Sequence, residues 1–254
     1  MSNTAPRVPY MTKTDVGDDP AVTFWEKAAS SRWGSYLTEV EKAVILKAHH
    51  LSERPATALE IGCEGGRWSM LLAKADWKVI CTDVDSETLK LCQKRIPEAT
   101  CIQVAPDESR IPCDSASIKL LLCMEVDPVI PGSDWFVSEA MRVLQPGGLL
   151  VGNCLNRLSL RGLFVHHLVS SENGYDPYKF TYIEWRAKMR AAGFSFIYEE
   201  GFGWFPFRRQ SNSRLIPAVT RLERLLGLRK IASFSPNIVF IVRKKSPIHH
   251  DAAS

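Results

Sequence analysis

The stretch ATALEIGCEGGRWSMLLAKADWKVICTDVD, residues 56–85, decides the fold. An apolar run at 58–62 gives way to three glycines within five residues, Gly62, Gly65 and Gly66, and then to a helix-forming run over 66–74. A second apolar run, 78–82, closes on Asp83. Strand, glycine turn, helix and strand in that order make a parallel βαβ unit, whose turn lets backbone approach a ligand beyond the carboxyl ends of the strands. Asp83 stands 21 positions after Gly62, a spacing at which a carboxylate accepts hydrogen bonds from ribose hydroxyls.

The alternation continues on both sides. Helical patterns at 21–31 and 36–51 precede the stretch; after it come a helix at 86–95, with Ser86 placed to cap it, strands at 100–105 and 118–123, and a helix at 133–144. The sequence QPGG at 145–148 ends that helix and feeds a strand at 148–155, because proline cannot continue the ladder and glycine accepts unusual torsions. A helix at 181–192 and strands at 194–199 and 237–243 complete the pattern. This predicts an α/β, Rossmann-like doubly wound sheet with helices on both faces. Two segments do not belong to the repeat: insertions at 156–180 and 201–235.

A chain of 254 residues, 45% hydrophobic and 24% charged, fits one core. The reading is a single domain over 19–245, with a helical cover at 19–55 and disordered tails at 1–18 and 246–254. A net charge of +4, with basic residues dispersed over most of the chain, argues against nucleic acid as a partner. Seven cysteines are an odd number, without a Cys-x-x-Cys spacing, and five of them fall in or at the ends of apolar runs. They read as small buried hydrophobes of a reducing compartment, and the protein as cytoplasmic. No apolar run approaches the ~20 residues that span a bilayer, and the first residues lack a signal-type apolar core.

The charges in the turn separate two cofactor classes. A nicotinamide dinucleotide lays its pyrophosphate on the helix N-terminus, where Glu64 adds like charge. S-adenosylmethionine has no phosphate and carries a sulfonium and an ammonium, which carboxylates such as Glu60 favour. Gly62, Gly65 and Gly66 also fail to spell Gly-x-Gly-x-x-Gly. The turn therefore favours the cationic cofactor over a nicotinamide one.

LEIGCEGGRW, CTDVD, DESRIP, LLLCMEV and RVLQPGGLLVG, in that order over roughly residues 36–200, together resemble the motif series of class I S-adenosylmethionine-dependent methyltransferases of the type 11 group. The resemblance implies a mostly parallel sheet with an antiparallel last strand. It implies cofactor contacts from Glu60, Gly62, Cys63, Gly65 and Gly66 in the first motif, and from Asp83 and Val84 in the second. Asp107 would meet the adenine amino group with Glu108 beside it, and Cys123 would end the strand that passes the methionyl part. By residue type alone, Trp68 and Trp33 are candidates for aromatic walls and Tyr36 for closing over the cofactor, against plain core or surface packing. Two departures stand out: Glu64 replaces the family's middle glycine, and the Glu-His pair common after strand four is replaced by Pro128 and Val129.

Methyl transfer from a sulfonium is an in-line displacement that rests mainly on alignment in a water-poor site, and a base is needed only where the acceptor sheds a proton. The candidates for a base are His166 and His167 in the first insertion and Asp127 after strand four; Asn156, Arg157, Tyr175 and Tyr178 are candidates for holding an acceptor. The bland alternatives are lid residues and a turn cap. No set of His, Cys, Asp and Glu has metal-ligand spacing, so no metal is expected and activity should withstand chelators. In the second insertion Leu215, Val219, Leu222, Leu225 and Leu226 recur at helical spacing among arginines, with Glu223 the single acid. Such a helix either rests on anionic lipid, or steers an acidic or lipid-like acceptor, or covers the sheet edge with a solvated basic face. The sequence thus points to an S-adenosylmethionine-dependent methyltransferase with a small-molecule or lipid-like acceptor, methylated most plausibly on oxygen. The rival is a catalytically silent methyltransferase-like subunit that binds cofactor or a partner.

Overall fold

The computed structural model describes residues 22–169 and 176–246, residues 165–169 by their backbone alone. The tails expected at 1–18 and 246–254 fall, apart from Ser246, outside the described residues.

Seven strands form one sheet: β1 (Thr57–Ile61), β2 (Lys78–Asp83), β3 (Thr100–Gln103), β4 (Ile118–Cys123), β5 (Leu144–Leu155), β6 (Phe194–Phe202) and β7 (Asn237–Lys244), in the order β3-β2-β1-β4-β5-β7-β6. β1 pairs in parallel with β2 and β4, β2 with β3, and β4 with β5, whereas β7 runs antiparallel to both β5 and β6. The chain winds one way from β1 to β3 and the other way from β4 onward. Their carboxyl ends therefore diverge at the switch point between β1 and β4, where open α/β sheets bind ligands.

Side chains of a strand alternate between faces, and the two faces bury two cores. Ala58, Val79, Cys81, Leu120 and Leu122 pack under α2 (Arg32–Leu51), α3 (Arg67–Ala73) and α4 (Ser86–Arg95). Leu59, Leu121, Cys123 and Phe240 pack under α5 (Asp134–Val143) and α7 (Tyr182–Ala191). Near-continuous apolar runs such as IKLLLC are what a strand covered on both faces requires.

Several element ends differ from the sequence reading. A short α1 (Phe24–Ala29) precedes α2, which starts at Arg32 rather than 36 because the Ser31 hydroxyl accepts from Gly34 N at 3.0 Å. α4 is capped by Asp85, whose Oδ1 accepts from Glu87 N at 2.8 Å, and not by Ser86, its first helical residue. β5 begins at Leu144, which already pairs with Ile118, and a register shift absorbs the QPGG segment. β6 runs on to Phe202, held by β7 along its full length.

Among the described residues no helix joins β3 to β4. The irregular crossing leaves a cleft of about 560 Å³ lined by Ile80, Ile102, Ile111 and Pro112 together with Thr57, Lys78 and Thr100. Those last three open their strands, so the cleft lies at the amino ends of the sheet, away from the switch point.

Candidate active site

The glycine turn is built around Asp83. Its Oδ2 accepts from Glu64 N at 2.7 Å and its Oδ1 from Asp85 N at 3.0 Å. Burial nevertheless pushes the Asp83 carboxyl above its ordinary range, the backbone donors acting against that rise. Glu64 holds a left-handed φ of 48°, and Gly62 and Gly66 hold 65° and 77°. Glu64, where the family's middle glycine is expected, thus adopts a left-handed position that glycine favours, and the bond to Asp83 holds it there despite its Cβ.

The glycines face different neighbours. A Cβ on Gly62 would meet Val126 just beyond β4 at 2.8 Å, so this glycine allows the close approach of the two strand ends at the switch point. Gly65 faces Arg95 and Thr23, and Gly66 faces the Cys92 sulfur of α4. These two serve helix packing, not an open cofactor face.

Neither glutamate of the turn stands where a charge reading would put it. Glu60 is 3% exposed, and its Oε2 accepts from Ser69 N at 2.8 Å and Ser69 Oγ at 2.6 Å, locking β1 to the first turns of α3. Burial pushes its carboxyl up to about 8. Glu64 turns its side chain to the start of α1, where Thr23 and the Trp25 amide engage it, and burial raises its carboxyl as well.

Two further acids near the switch point are Glu41 on α2 and Glu125 after β4, neither of which the sequence reading singled out. Glu125 sits at φ 55°, receives Arg67 Nη2 at 2.9 Å, and is paired by Arg209 from the second insertion. Arg67 also lies 3.7 Å from Glu41 and donates to Thr38 Oγ1 at 3.2 Å. The Arg209 guanidinium stacks on Trp25, 4.0 Å from the ring centre. Burial pushes Glu41 up to about 7 and Arg209 down to about 10. Glu41 Oε2 and Trp68 Nε1 are buried without a hydrogen-bond partner, whereas both Glu125 oxygens are taken by Arg67 and Arg209. Two acids beside the turn that already hold guanidinium groups are a set for a cation, and they fit a sulfonium- and ammonium-bearing cofactor that displaces one of them. The signal for Glu125 was present in the sequence, since it lies within the LLLCMEV motif just past β4; Glu41 lies in the middle of a helix and carried none.

Several other expected residues do different work. Tyr36, 8% exposed, donates its hydroxyl to Glu223 and accepts from Gly203 N at 3.4 Å, so it joins α2 to the second insertion instead of closing a pocket. Burial, with the Glu223 charge, raises its phenol. Trp68 and Trp33 are core residues, Trp68 under Arg67 and Trp33 between Tyr36 and Phe207. Cys123 is fully buried in the core beneath α5, and burial drives its thiol up, which removes its side chain from any pocket. Cys63 gives its N–H to Thr82 O at 3.0 Å, and its side chain is buried below the turn. Its sulfur meets those of Cys81 and Cys92, all three within 4.8 Å, a convergence that spacing along the chain conceals. Val84, Asp107 and Glu108 lie past the ends of β2 and β3. Glu108 borders a small cavity of about 40 Å³ with Ile61, Thr82, Val104 and Trp135, and it accepts from Arg110 N at 3.0 Å.

At the acceptor end, Asn156 is buried and saturated. Its Nδ2 donates to Ser233 O and Ser235 O, and its Oδ1 accepts from Leu158 N and Tyr182 N. An amide with both donors and both lone pairs used has nothing left for an acceptor molecule, so Asn156 is a clamp between β5, α7 and the segment before β7. Arg157 donates to Lys179 O at 3.0 Å and pairs with Glu184 at 3.2 Å, a structural role. Asp127 Oδ1 accepts from Val129 N at 3.0 Å, as a turn former does. Tyr178 is buried, and burial raises its phenol while Arg161 lowers it. His166 and His167 fall on α6 (Leu160–Val169) where only backbone is described, and Tyr175 lies outside the described residues.

A seven-stranded sheet of this order, with its glycine turn and acid at the switch point, is the fold of class I S-adenosylmethionine-dependent methyltransferases. Residues 59–152 match the family described as Methyltransferase domain, and S-adenosylmethionine is the cofactor that this family and fold imply. Similar curated proteins are phthiotriol/phenolphthiotriol dimycocerosates methyltransferase of Mycobacterium leprae, 32% identical over 94 residues, and "Probable S-adenosylmethionine-dependent methyltransferase" of Mycolicibacterium smegmatis, 30% identical over 112 residues. The matched stretches are 36% and 44% of this chain, and they span only 35% and 42% of those relatives' lengths. Among solved structures, a SAM dependent methyltransferase from Archaeoglobus fulgidus is similar with a TM-score of 0.54 at 16% identity, over 87% of this chain and 98% of that one. The [4+2]-cyclase SpnF is similar with a TM-score of 0.53 at 16% identity, over 81% and 82%. At such identities the likeness is one of fold.

Proposed function

We propose that the protein transfers a methyl group from S-adenosylmethionine to a lipid-like acceptor, on oxygen. The observation that carries the cofactor half is the Asp83 carboxylate at the switch point: two of its acceptor positions fix the turn, and two are left for a ribose diol. The methionyl end is assigned to Glu125 and Glu41. Arg209 occupies that end as an internal cation on Glu125, and the cofactor's ammonium takes its place. Asp107 and Glu108, on the segment past β3, are assigned to the adenine edge; the 40 Å³ cavity beside Glu108 is smaller than a purine, so that exposed segment moves outward to admit one. When bound, the cofactor supplies the electrophilic methyl, and the residues around it align donor with acceptor and exclude water.

For the acceptor, support comes from the mycobacterial relative whose name gives a lipid substrate, and from the exposed apolar residues that the two insertions carry on α6 and α8 (Ile216–Leu225). A base for an oxygen acceptor is assigned to His166 or His167. The test is transfer of labelled methyl from S-adenosylmethionine into a cell extract that is then split into lipid and aqueous fractions. Label in the lipid fraction, released as a methyl ether or ester, is expected. Label confined to the aqueous fraction removes the lipid acceptor. Tight cofactor binding with no label in either fraction replaces the enzyme by a silent cofactor-binding subunit.

A further inference from the structure

We propose that α8 and the first turns of α6 form a docking surface for an anionic lipid bilayer, which deepens the reading of a lipid-like acceptor and rests on it for its biological purpose. The orientation of α8 carries the inference. A helix lying on a water-soluble protein turns its leucines inward and its charges outward. α8 does the reverse: Ile216, Thr220 and Glu223 are its buried residues, whereas Leu222 is 43%, Leu225 84% and the following Leu226 60% exposed.

The inversion is fixed by buried polar contacts. Glu223 is 0% exposed and is met by the Tyr36 hydroxyl, by Arg229 Nε at 3.2 Å and by Trp204 N at 3.3 Å. Rotating the helix to hide its leucines would carry Glu223 away and leave the Tyr36 hydroxyl, Arg229 and Trp204 N without their acceptor. The apolar surface continues past the helix through Ile231 and Phe234, 43% and 56% exposed. Asn156 then ties that segment to the start of α6 through Ser233 O and Ser235 O. On α6, Leu160 is 87% and Phe164 69% exposed.

Charge selects the occupant. Between Gly203 and Pro236 Glu223 is the single acid, and it is buried; Arg208, Arg214, Arg221, Arg224 and Lys230 are exposed. A second copy of this chain would bring two such basic surfaces together, whereas an anionic bilayer complements them and accepts the leucines between its headgroups. Among the described residues no helix is long and apolar enough to cross a membrane, so the surface rests on a bilayer without spanning it. It lies on the insertion that also supplies Arg209 to Glu125.

The test is flotation of the full chain with vesicles of phosphatidylcholine alone, or mixed in equal parts with phosphatidylglycerol, without cofactor or acceptor. Binding to the anionic vesicles at least about tenfold tighter than to neutral ones, and weakened by salt, is expected. The pairs Leu225→Asp with Leu226→Asp, and Arg221→Glu with Arg224→Glu, each lower it by about tenfold or more. These side chains are exposed, and retained S-adenosylhomocysteine binding in each variant verifies the fold. Equal binding to both vesicle types, or binding that both variants retain, overturns the proposal. So does concentration-dependent dimerisation that the leucine variant abolishes in the absence of vesicle binding, which would assign the surface to a second copy. Because S-adenosylhomocysteine binding is read separately, failure at the vesicle leaves the methyl-transfer reading standing.

Discussion

Replacing Asp83 by alanine tests the centre of the cofactor assignment, and its two consequences can be separated. A carboxylate offers about four acceptor positions. One on each oxygen is used by the Glu64 and Asp85 amides at 2.7 and 3.0 Å, so one on each remains for the two ribose hydroxyls. Removing hydrogen bonds from both hydroxyls to a charged acceptor should weaken S-adenosylhomocysteine binding by about 1.5–3 kcal/mol, roughly 10- to 150-fold. The same change strands the Glu64 amide at a left-handed backbone position, which should cost about 1–3 kcal/mol of folding stability. Calorimetric titration reads the first effect and urea denaturation the second. Asp83→Asn retains one oxygen for the turn; it should recover part of the stability and little of the affinity, which keeps the two effects distinct if the alanine variant folds poorly. A folded Asp83→Ala that binds S-adenosylhomocysteine within about twofold of the parent would refute the ribose assignment. Tighter binding of NAD than of S-adenosylhomocysteine by the parent chain would refute the cofactor itself.

Arg209→Ala, which removes the internal cation from Glu125, should tighten S-adenosylhomocysteine binding by about tenfold; weaker binding would mean that Arg209 grips the cofactor's carboxylate. Glu60 makes folding pH-dependent with a definite sign. Its folded-state value, raised from 4.5 to about 8, means that the native chain keeps a proton which the unfolded chain releases. Its contribution is therefore complete below 4.5, is lost as pH climbs toward 8 at about 1.4 kcal/mol per pH unit, and stays lost above that. Glu60→Gln should flatten this decline in urea midpoints measured between pH 5 and 8; an unchanged slope would show that Glu60 is not its source. Asn156→Ala leaves four backbone partners unpaired, two of them in buried bonds, and should cost about 3–5 kcal/mol; a loss below about 1 kcal/mol would refute its role as a clamp. Methyl transfer measured in excess EDTA should match the untreated rate, and a large loss would implicate a metal that the donor set at the cofactor site does not call for.

The sheet was legible because burial on both faces writes continuous apolar runs, and because the glycine turn and Asp83 sit at a spacing fixed by the length of one βαβ unit. The strands expected at 58–62, 78–82 and 118–123 lie within a residue of β1, β2 and β4. Where local backbone sets what a residue does, as at the left-handed Gly62 and at Asp83 with its two amide donors, the sequence pattern marks its place in the turn. Where the role depends on what the rest of the chain brings, residue type misled. Glu60 looks like a charge for the cofactor and is spent on Ser69; Asn156 looks like a ligand for the acceptor and is saturated by four partners. Cys63, Cys81 and Cys92 meet across a turn, a strand and a helix that no short spacing links.

The second insertion shows the limit most sharply. Helical periodicity in Leu215, Val219, Leu222, Leu225 and Leu226 identifies a stripe, and the ordinary assumption is that such a stripe faces inward. Which side faces inward is decided by Glu223, and its partners come from α2, from the segment after β6 and from the turn after α8. Of these, Tyr36 is 187 residues away in the chain. Turning the leucines inward would carry Glu223 out to water and leave the Tyr36 hydroxyl, Arg229 and the Trp204 amide without their acceptor, at about 1–3 kcal/mol each, which together offset the roughly 1.5–3 kcal/mol forfeited by each of two or three exposed leucines. The same arithmetic explains why the leucines remain available to a bilayer: the fold has already committed the other face of α8, and burying the stripe falls to whatever lies outside the chain.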